Sequence, residues 1–306
     1  MTYDVIILGG GPAGLAAGIY CGRARLKTLI LEKGALGGRA SMTEEIVNYP
    51  GFLSISGTEL AERMREQAAE FGVEFKTEQV KSLTLDLPEK ELHTRRNTYK
   101  AKAVILAGGT EPKIIGIPGE RELVGQGVAY CATCDAEFFQ DQDVAVIGSG
   151  DQAVEESMFI ARYARRVFIV VRRPEGDLRC NKASAEKALS NQKIQFLWNK
   201  EPVAVIGDNE VEAVKLRDVQ TGDEQQLACQ GVFFFVGMSP NSGVVPQVVN
   251  RNEQGYLLTN EDMETNLPGV YAVGDIREKR LRQICTAVND GAIAANAAIA
   301  YLEGLE

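Results

Sequence analysis

The chain has 306 residues, 45% hydrophobic and 25% charged, the composition of a folded globular protein with length for two compact domains. Lys and Arg number 33 against 42 Asp and Glu, a net charge of −9, so long-range attraction has the wrong sign for nucleic acid or an anionic membrane. No apolar run reaches membrane-spanning length, the start MTYDVIILGG has no basic leader, and six cysteines are too few for a secreted disulfide scaffold, which together point to the cytoplasm.

From the N-terminus, Tyr3 to Glu32 reads as one βαβ unit: the β-branched run Val5-Ile6-Ile7-Leu8, a glycine cluster, an Ala-rich helical stretch, then Thr28-Leu29-Ile30-Leu31-Glu32. Gly9-Gly10-Gly11-Pro12-Ala13-Gly14 satisfies G-x-G-x-x-G directly after the strand and opens the helix, so backbone N–H groups and the helix N-terminus face a pyrophosphate. Glu32 closes the second strand 18 residues after Gly14, where a carboxylate accepts from ribose hydroxyls and disfavours a 2′-phosphate, which suits FAD or NAD.

Val80 to Lys100 alternates weakly and reads as a surface hairpin or meander, with the only histidine, His93, expected to be solvated. Lys102 to Leu106 is a strand ending in Ala107-Gly108-Gly109-Thr110, and Pro112 to Pro118 reads as an irregular crossing, where a hinge is placed.

Beyond the crossing stands Cys131-Ala132-Thr133-Cys134-Asp135. A zinc site needs four ligands, and the chain has neither a second Cys-x-x-Cys nor a histidine cluster, so no metal is expected. Two thiols at this spacing can close a small disulfide, one attacking and the other resolving, with Asp135 able to exchange a proton with the leaving thiol. The remaining cysteines, Cys21, Cys180, Cys229 and Cys285, are isolated and expected to be buried small hydrophobes.

The βαβ grammar then repeats from Asp143 to Arg173. Val144-Ala145-Val146-Ile147 leads into Gly148-Ser149-Gly150-Asp151-Gln152-Ala153, a helix is expected over Ala153 to Tyr163, and a strand over Val167 to Val171. This second motif is G-x-G-x-x-A and offers another dinucleotide site. Its second strand ends not in an acid but in Arg172-Arg173, followed by Arg179, guanidinium groups able to pair with a 2′-phosphate and so favouring NADP over NAD. A return strand at Val232 to Val236 precedes Gly237-Met238-Ser239-Pro240-Asn241, and Val270 to Val273 ends in Gly274-Asp275 before a terminal Ala-rich helix. The fold class expected is α/β: two doubly wound nucleotide-binding domains, the second inserted into the first.

The redox pentapeptide with trailing Phe138-Phe139 resembles that of the low-molecular-weight thioredoxin reductases, and the resemblance extends over essentially the whole chain. It includes Gly9 to Gly14, Asn48-Tyr49-Pro50-Gly51-Phe52, Gly148 to Glu156, and Gly274-Asp275 with Arg282-Gln283. It implies an FAD domain over residues 1–115 and 245–306, interrupted by a pyridine-nucleotide domain over 116–244 that carries the disulfide. It further implies a homodimer, thioredoxin as partner, and electrons passing from NADPH through FAD to the Cys131/Cys134 disulfide. Carried over by position, FAD contacts fall on Gly9, Gly11, Pro12, Ala13, Gly14, Glu32, Gly38, Arg39, Asn48, Gly274, Asp275, Arg282 and Gln283, and NADPH contacts on Gly148, Gly150, Ala153, Arg172, Arg173 and Arg179. Cys134 would face the flavin, Cys131 would attack the thioredoxin disulfide, and Asp135 would be the acid/base.

Three positions depart from that family. Val171 stands where its phosphate clamp has histidine, and five residues rather than three separate Arg173 from Arg179; Arg39 replaces glutamine; Met238 replaces a common histidine. A related branch keeps the cysteine pair but takes electrons from ferredoxin or another non-pyridine donor, and this is the alternative donor. A ferredoxin-NADP reductase of the same fold has no need of Cys131 and Cys134. The alternative outside catalysis is a nucleotide-bound redox sensor.

Overall fold

The computed structural model describes residues 2–43 and 45–305. Its elements begin with β1 (Thr2–Leu8), α1 (Pro12–Arg23), β2 (Thr28–Glu32), α2 (Gly57–Glu70), β3 (Glu74–Thr77), β4 (Val80–Thr84), β5 (Lys90–Thr94), β6 (Thr98–Leu106) and β7 (Thr110–Pro112). There follow β8 (Val128–Ala129), α3 (Ala132–Asp135), β9 (Asp143–Ile147), α4 (Asp151–Ile160), β10 (Arg166–Val171), α5 (Lys182–Ser190) and β11 (Ile194–Trp198). The chain ends with β12 (Lys200–Ile206), β13 (Ala213–Asp218), β14 (Glu224–Ala228), β15 (Gly231–Phe234), β16 (Met238–Pro240), β17 (Val270–Ala272) and α6 (Ile284–Glu303). By internal contacts it divides into one unit of residues 1–111 and 239–306 and another of 112–238.

In the first unit β3, β2, β1, β6 and β17 run parallel in that order, while β4 and β5 extend β6 as an antiparallel meander. Successive side chains of a strand point to opposite faces, so Val5 and Ile7 enter the core beneath the helices and Ile6 enters the core on the other face. All three are fully buried, and each contributes roughly 1.5–3 kcal/mol by leaving water. On the helical face α1 and α6 pack through alanines, Ala13, Ala16 and Ala17 against Ala294, Ala295 and Ala298. Gly291 makes this approach possible: a Cβ there would lie 2.2 Å from the Ala13 carbonyl oxygen.

The second unit repeats the plan. Strands β11, β10, β9, β15 and β8 form a wholly parallel sheet. One face packs on helix residues such as Ala153 and Ile160, and the other on Val214 and Leu216 of the antiparallel sheet β12-β13-β14. The two doubly wound sheets, one inserted into the chain of the other, are those expected from the sequence.

Local boundaries differ where polar alternation hides a strand. β6 starts at Thr98 rather than Lys102, because its first half pairs antiparallel with β5 and exposes every second residue. The second crossover helix is Asp151–Ile160, not Ala153–Tyr163. His93 is half-buried rather than solvated: its Nδ1 lies 3.1 Å from the Thr98 hydroxyl and its Nε2 3.4 Å from that of Thr84.

Candidate functional site

The first glycine turn follows β1. A Cβ on Gly9 would lie 2.3 Å from the Ala107 carbonyl oxygen at the end of β6, and one on Gly14 would lie 1.9 Å from the Gly9 oxygen, so both glycines serve close packing of strand, turn and helix. Gly11 differs: a Cβ there would meet nothing nearer than the Gly38 Cα at 4.0 Å, leaving an open face. No side chain caps the first N–H groups of α1, and Pro12 supplies a helical start without needing a partner for its own nitrogen. An uncapped helix N-terminus behind an open glycine is built for an anion.

Glu32 does not point freely into this space. Its Oε2 accepts the Gly10 N–H at 2.8 Å and its Oε1 the Gly34 N–H at 3.1 Å, which pins the turn to the end of β2 while leaving lone pairs for a ligand hydroxyl. Beside it a cavity of about 240 Å³ is lined by Gly9, Glu32, Lys33, Val80, Gly108 and Asn241 among others, at the carboxyl ends of the parallel strands where such folds hold ligands.

The same unit gathers residues far apart in sequence. Asn48 donates to the Gln283 side-chain oxygen at 3.0 Å, just before α6. Asp275 follows β17, and burial pushes its carboxyl above the usual range, an effect countered by Lys279, Arg282 and Arg39 and reinforced by Asp290. The Arg282 guanidinium lies over the Tyr256 ring at 4.2 Å, and its Nε is buried with no hydrogen-bond partner among the described residues. A planar group with acceptors would satisfy it. The open Gly11 face, the uncapped helix, the cavity and this orphaned donor fit an adenine dinucleotide with an aromatic, acceptor-bearing second half.

In the second unit the pattern recurs with different numbers. A Cβ on Gly148 would lie 2.4 Å from the Phe235 carbonyl oxygen and 2.9 Å from the Ala153 Cβ, whereas one on Gly150 would meet only the Arg179 oxygen at 3.9 Å. Helix α4 again begins without a side-chain cap. Arg172 and Arg179 are exposed, and the Arg179 N–H donates to the Ser149 carbonyl at 2.8 Å, which holds it at the glycine turn. Arg173 is occupied, its Nη1 lying 2.8 Å from Asp177.

Cys131 and Cys134 form a disulfide with Cα atoms 5.4 Å apart. Cys131 is half-buried and caps the short helix α3: its Sγ accepts the Cys134 N–H at 3.2 Å and sits 3.4 Å from the Thr133 hydroxyl. Cys134 is the more exposed sulfur. Asp135 is half-buried, and burial raises its carboxyl above the usual range. Among the described residues no cluster of metal-ligating side chains is present.

The other cysteines divide. Cys21 and Cys229 are buried, and burial pushes both thiols up to about 12, which makes them inert hydrophobes as expected. Cys180 and Cys285 are only half-buried, which corrects the expectation of full burial for them; Cys180, beside Arg179, packs against the edge of the second unit's core, and Cys285 stands in the first turn of α6.

Two supporting residues escaped sequence reasoning. Asp290 in α6 is buried and accepts the Gly274 N–H at 3.0 Å, with Lys279 at 2.7 Å and Arg277 at 3.4 Å. Glu120 is fully buried and accepts the N–H groups of Ile115, Gly116 and Ile117 together with the hydroxyl of Tyr130, the residue before Cys131. Asp290 takes its partners from the turn before α6, which no pattern in the helix announces, and Glu120 folds back onto the N–H groups of its own loop, which no residue pattern announces either.

Residues 3–291 match the family model described as pyridine nucleotide-disulphide oxidoreductase. The chain is 46% identical over 309 residues to a thioredoxin reductase of Peptoclostridium acidaminophilum, covering 99% of this chain and 98% of the relative. It is 46% identical over 305 residues to one of Bacillus subtilis, covering 99% and 96%. A crystal structure of Lactococcus lactis thioredoxin reductase superposes with a TM-score of 0.95 at 39% identity, covering 99% of both chains.

Proposed function

The chain belongs to the pyridine nucleotide-disulphide oxidoreductase family, and from that premise we propose that it is a thioredoxin reductase using FAD and NADPH. The observation that carries this reading is the Cys131–Cys134 disulfide flanked by Asp135, in a unit whose second glycine turn leaves Gly150 open and Arg172 and Arg179 exposed.

The first unit, which we read as the FAD domain, would hold the pyrophosphate at Gly9, Gly11, Pro12, Ala13 and Gly14, the adenosine end at Glu32, and the remainder through Gly38, Arg39, Asn48, Gly274, Asp275, Arg282 and Gln283. Bound FAD supplies the two-electron relay between a pyridine nucleotide and a disulfide. The second unit, read as the NADPH domain, would take that nucleotide at Gly148, Gly150 and Ala153, with Arg172, Arg173 and Arg179 offered to the 2′-phosphate.

Reduction of the Cys131–Cys134 disulfide leaves two thiols. Hydrogen bonds to a sulfur favour its thiolate, and Cys131 is the one that accepts them, from the Cys134 N–H and the neighbouring Thr133 hydroxyl. Its thiolate attacks one sulfur of the thioredoxin disulfide, forming a mixed disulfide and releasing the other thioredoxin sulfur as thiolate. Asp135, protonated to a higher pH than a free carboxyl, donates the proton that this leaving group takes. Cys134 then attacks Cys131 Sγ, which re-forms the intramolecular disulfide and frees reduced thioredoxin.

The protein works as a homodimer in the cytoplasm. Exposed apolar side chains of the first unit, Leu53 at 99% and Val47 at 66% exposure, support burial against a second copy. The four free cysteines support a reducing compartment. The reading is tested by NADPH-dependent reduction of oxidised thioredoxin: turnover in the native protein and none in Cys131→Ser supports it, and no turnover in the native protein contradicts it.

A further inference from the structure

The segment that joins Arg173 to Arg179 carries charge of both signs. Between the arginines lie Pro174-Glu175-Gly176-Asp177-Leu178, so two carboxylates stand inside the run whose arginines are read above as the partners of a 2′-phosphate. The segment is fixed at each end. The Arg173 carbonyl accepts the Asn199 N–H at 3.0 Å, and the Arg179 N–H donates to Ser149 at 2.8 Å. Between these anchors the Asp177 N–H donates to the Pro174 carbonyl at 3.1 Å, and Gly176 adopts φ +81°, the positive value required at the third position of a type II turn. That turn folds Asp177 back onto Arg173, where carboxylate and guanidinium meet at 2.8 Å.

The pair is exposed, 38% and 46% for the two side chains, and contributes little to fold stability. Its consequence is electrostatic and local. A 2′-phosphate must compete with Asp177 for Arg173 and then sit beside the displaced carboxylate, whereas a ribose 2′-hydroxyl meets no such repulsion and can donate to a carboxylate.

We propose that Asp177 is a specificity-determining residue for the electron donor: by engaging Arg173 it weakens discrimination in favour of NADPH and admits NADH. This rests on the reading of the second unit as the pyridine-nucleotide domain.

The test is a double-mutant cycle on the flavin-loaded protein with thioredoxin as acceptor, measuring kcat/KM for NADPH and for NADH in the native protein, Asp177→Asn, Arg173→Ala and the double variant. The NADPH to NADH ratio is expected to rise about three- to tenfold in Asp177→Asn, the scale of one exposed charge interaction beside a phosphate, and that gain is expected to shrink when Arg173 is absent, leaving only the direct repulsion between carboxylate and phosphate. A retained flavin spectrum together with an unaltered thermal melt shows that both units of each variant are folded. An unchanged ratio in Asp177→Asn, or a gain that persists in full without Arg173, overturns the proposal while leaving the donor reading intact. Failure of both nucleotides to bleach the flavin of the native protein overturns the donor reading itself, and the proposal with it.

Discussion

The buried carboxylate of Asp290, one turn and a half into α6, accepts the backbone N–H of Gly274 at 3.0 Å and so fixes the turn that presents Asp275. It also neutralises Lys279 and Arg277, both largely shielded from water. Removing one member of such a buried group leaves charges uncompensated. Asp290→Ala is expected to destabilise the first unit by about 3 kcal/mol and to lose FAD during gel filtration. Asp290→Asn keeps an acceptor for Gly274 and is expected to retain more flavin. Equal retention of FAD by native protein and Asp290→Ala, in absorbance against protein concentration, contradicts the role.

The division of labour between the cysteines makes a second prediction. With Cys134→Ser, Cys131 still attacks thioredoxin but nothing resolves the product, so a mixed disulfide accumulates that runs at the summed mass on a non-reducing gel. With Cys131→Ser no such species is expected. Trapping in the second variant and not the first would reverse the assignment.

Because burial raises the Asp135 carboxyl, it keeps its proton to a higher pH than an ordinary carboxyl and loses it as pH rises through the folded value. Thioredoxin turnover should therefore fall on that side. Asp135→Asn cannot supply the proton and is expected to lower kcat about 100-fold and to abolish that fall. A pH profile of kcat for both proteins decides it, and an unaltered profile in the variant refutes the acid role.

Asp143 at the start of β9 gives a stability prediction. It is buried, and hydrogen bonds from Arg165 and Arg166 hold its carboxyl well below the usual range. A depressed folded value stabilises above the unfolded pKa of about 3.9 and is lost as pH falls through the folded one. Thermal melts should show the native protein losing stability below about pH 4, with Asp143→Asn less stable at neutral pH and less sensitive to acid. Parallel curves for the two proteins would contradict this.

What the sequence made legible is what chemistry writes locally. The strand-glycine-helix runs at Gly9 and Gly148 and the Cys131/Cys134 spacing each sit within a few residues of one another, and the two doubly wound sheets follow from them. Glu120 was not legible because no residue pattern marks a carboxylate that folds back onto the N–H groups of its own loop, and Asp290 because a lone carboxylate in an Ala-rich helix gains its partners only on folding. His93 was misjudged for the same reason: the charges beside it suggest solvent, but the β5–β6 pairing brings Thr98 across to its ring. The ion pair of Arg173 with Asp177 depends on a turn at Gly176 that the basic run obscures.

The most direct measurement is anaerobic mixing of the flavin-loaded protein with NADPH, followed by addition of oxidised thioredoxin. The account predicts that NADPH bleaches the visible flavin band, and that thioredoxin restores it in the native protein but not in Cys134→Ser. Failure of NADPH to bleach a band that dithionite does bleach, in protein that then still reduces thioredoxin, would contradict the assignment of the donor. Failure of thioredoxin to restore the colour would contradict the assignment of the reaction.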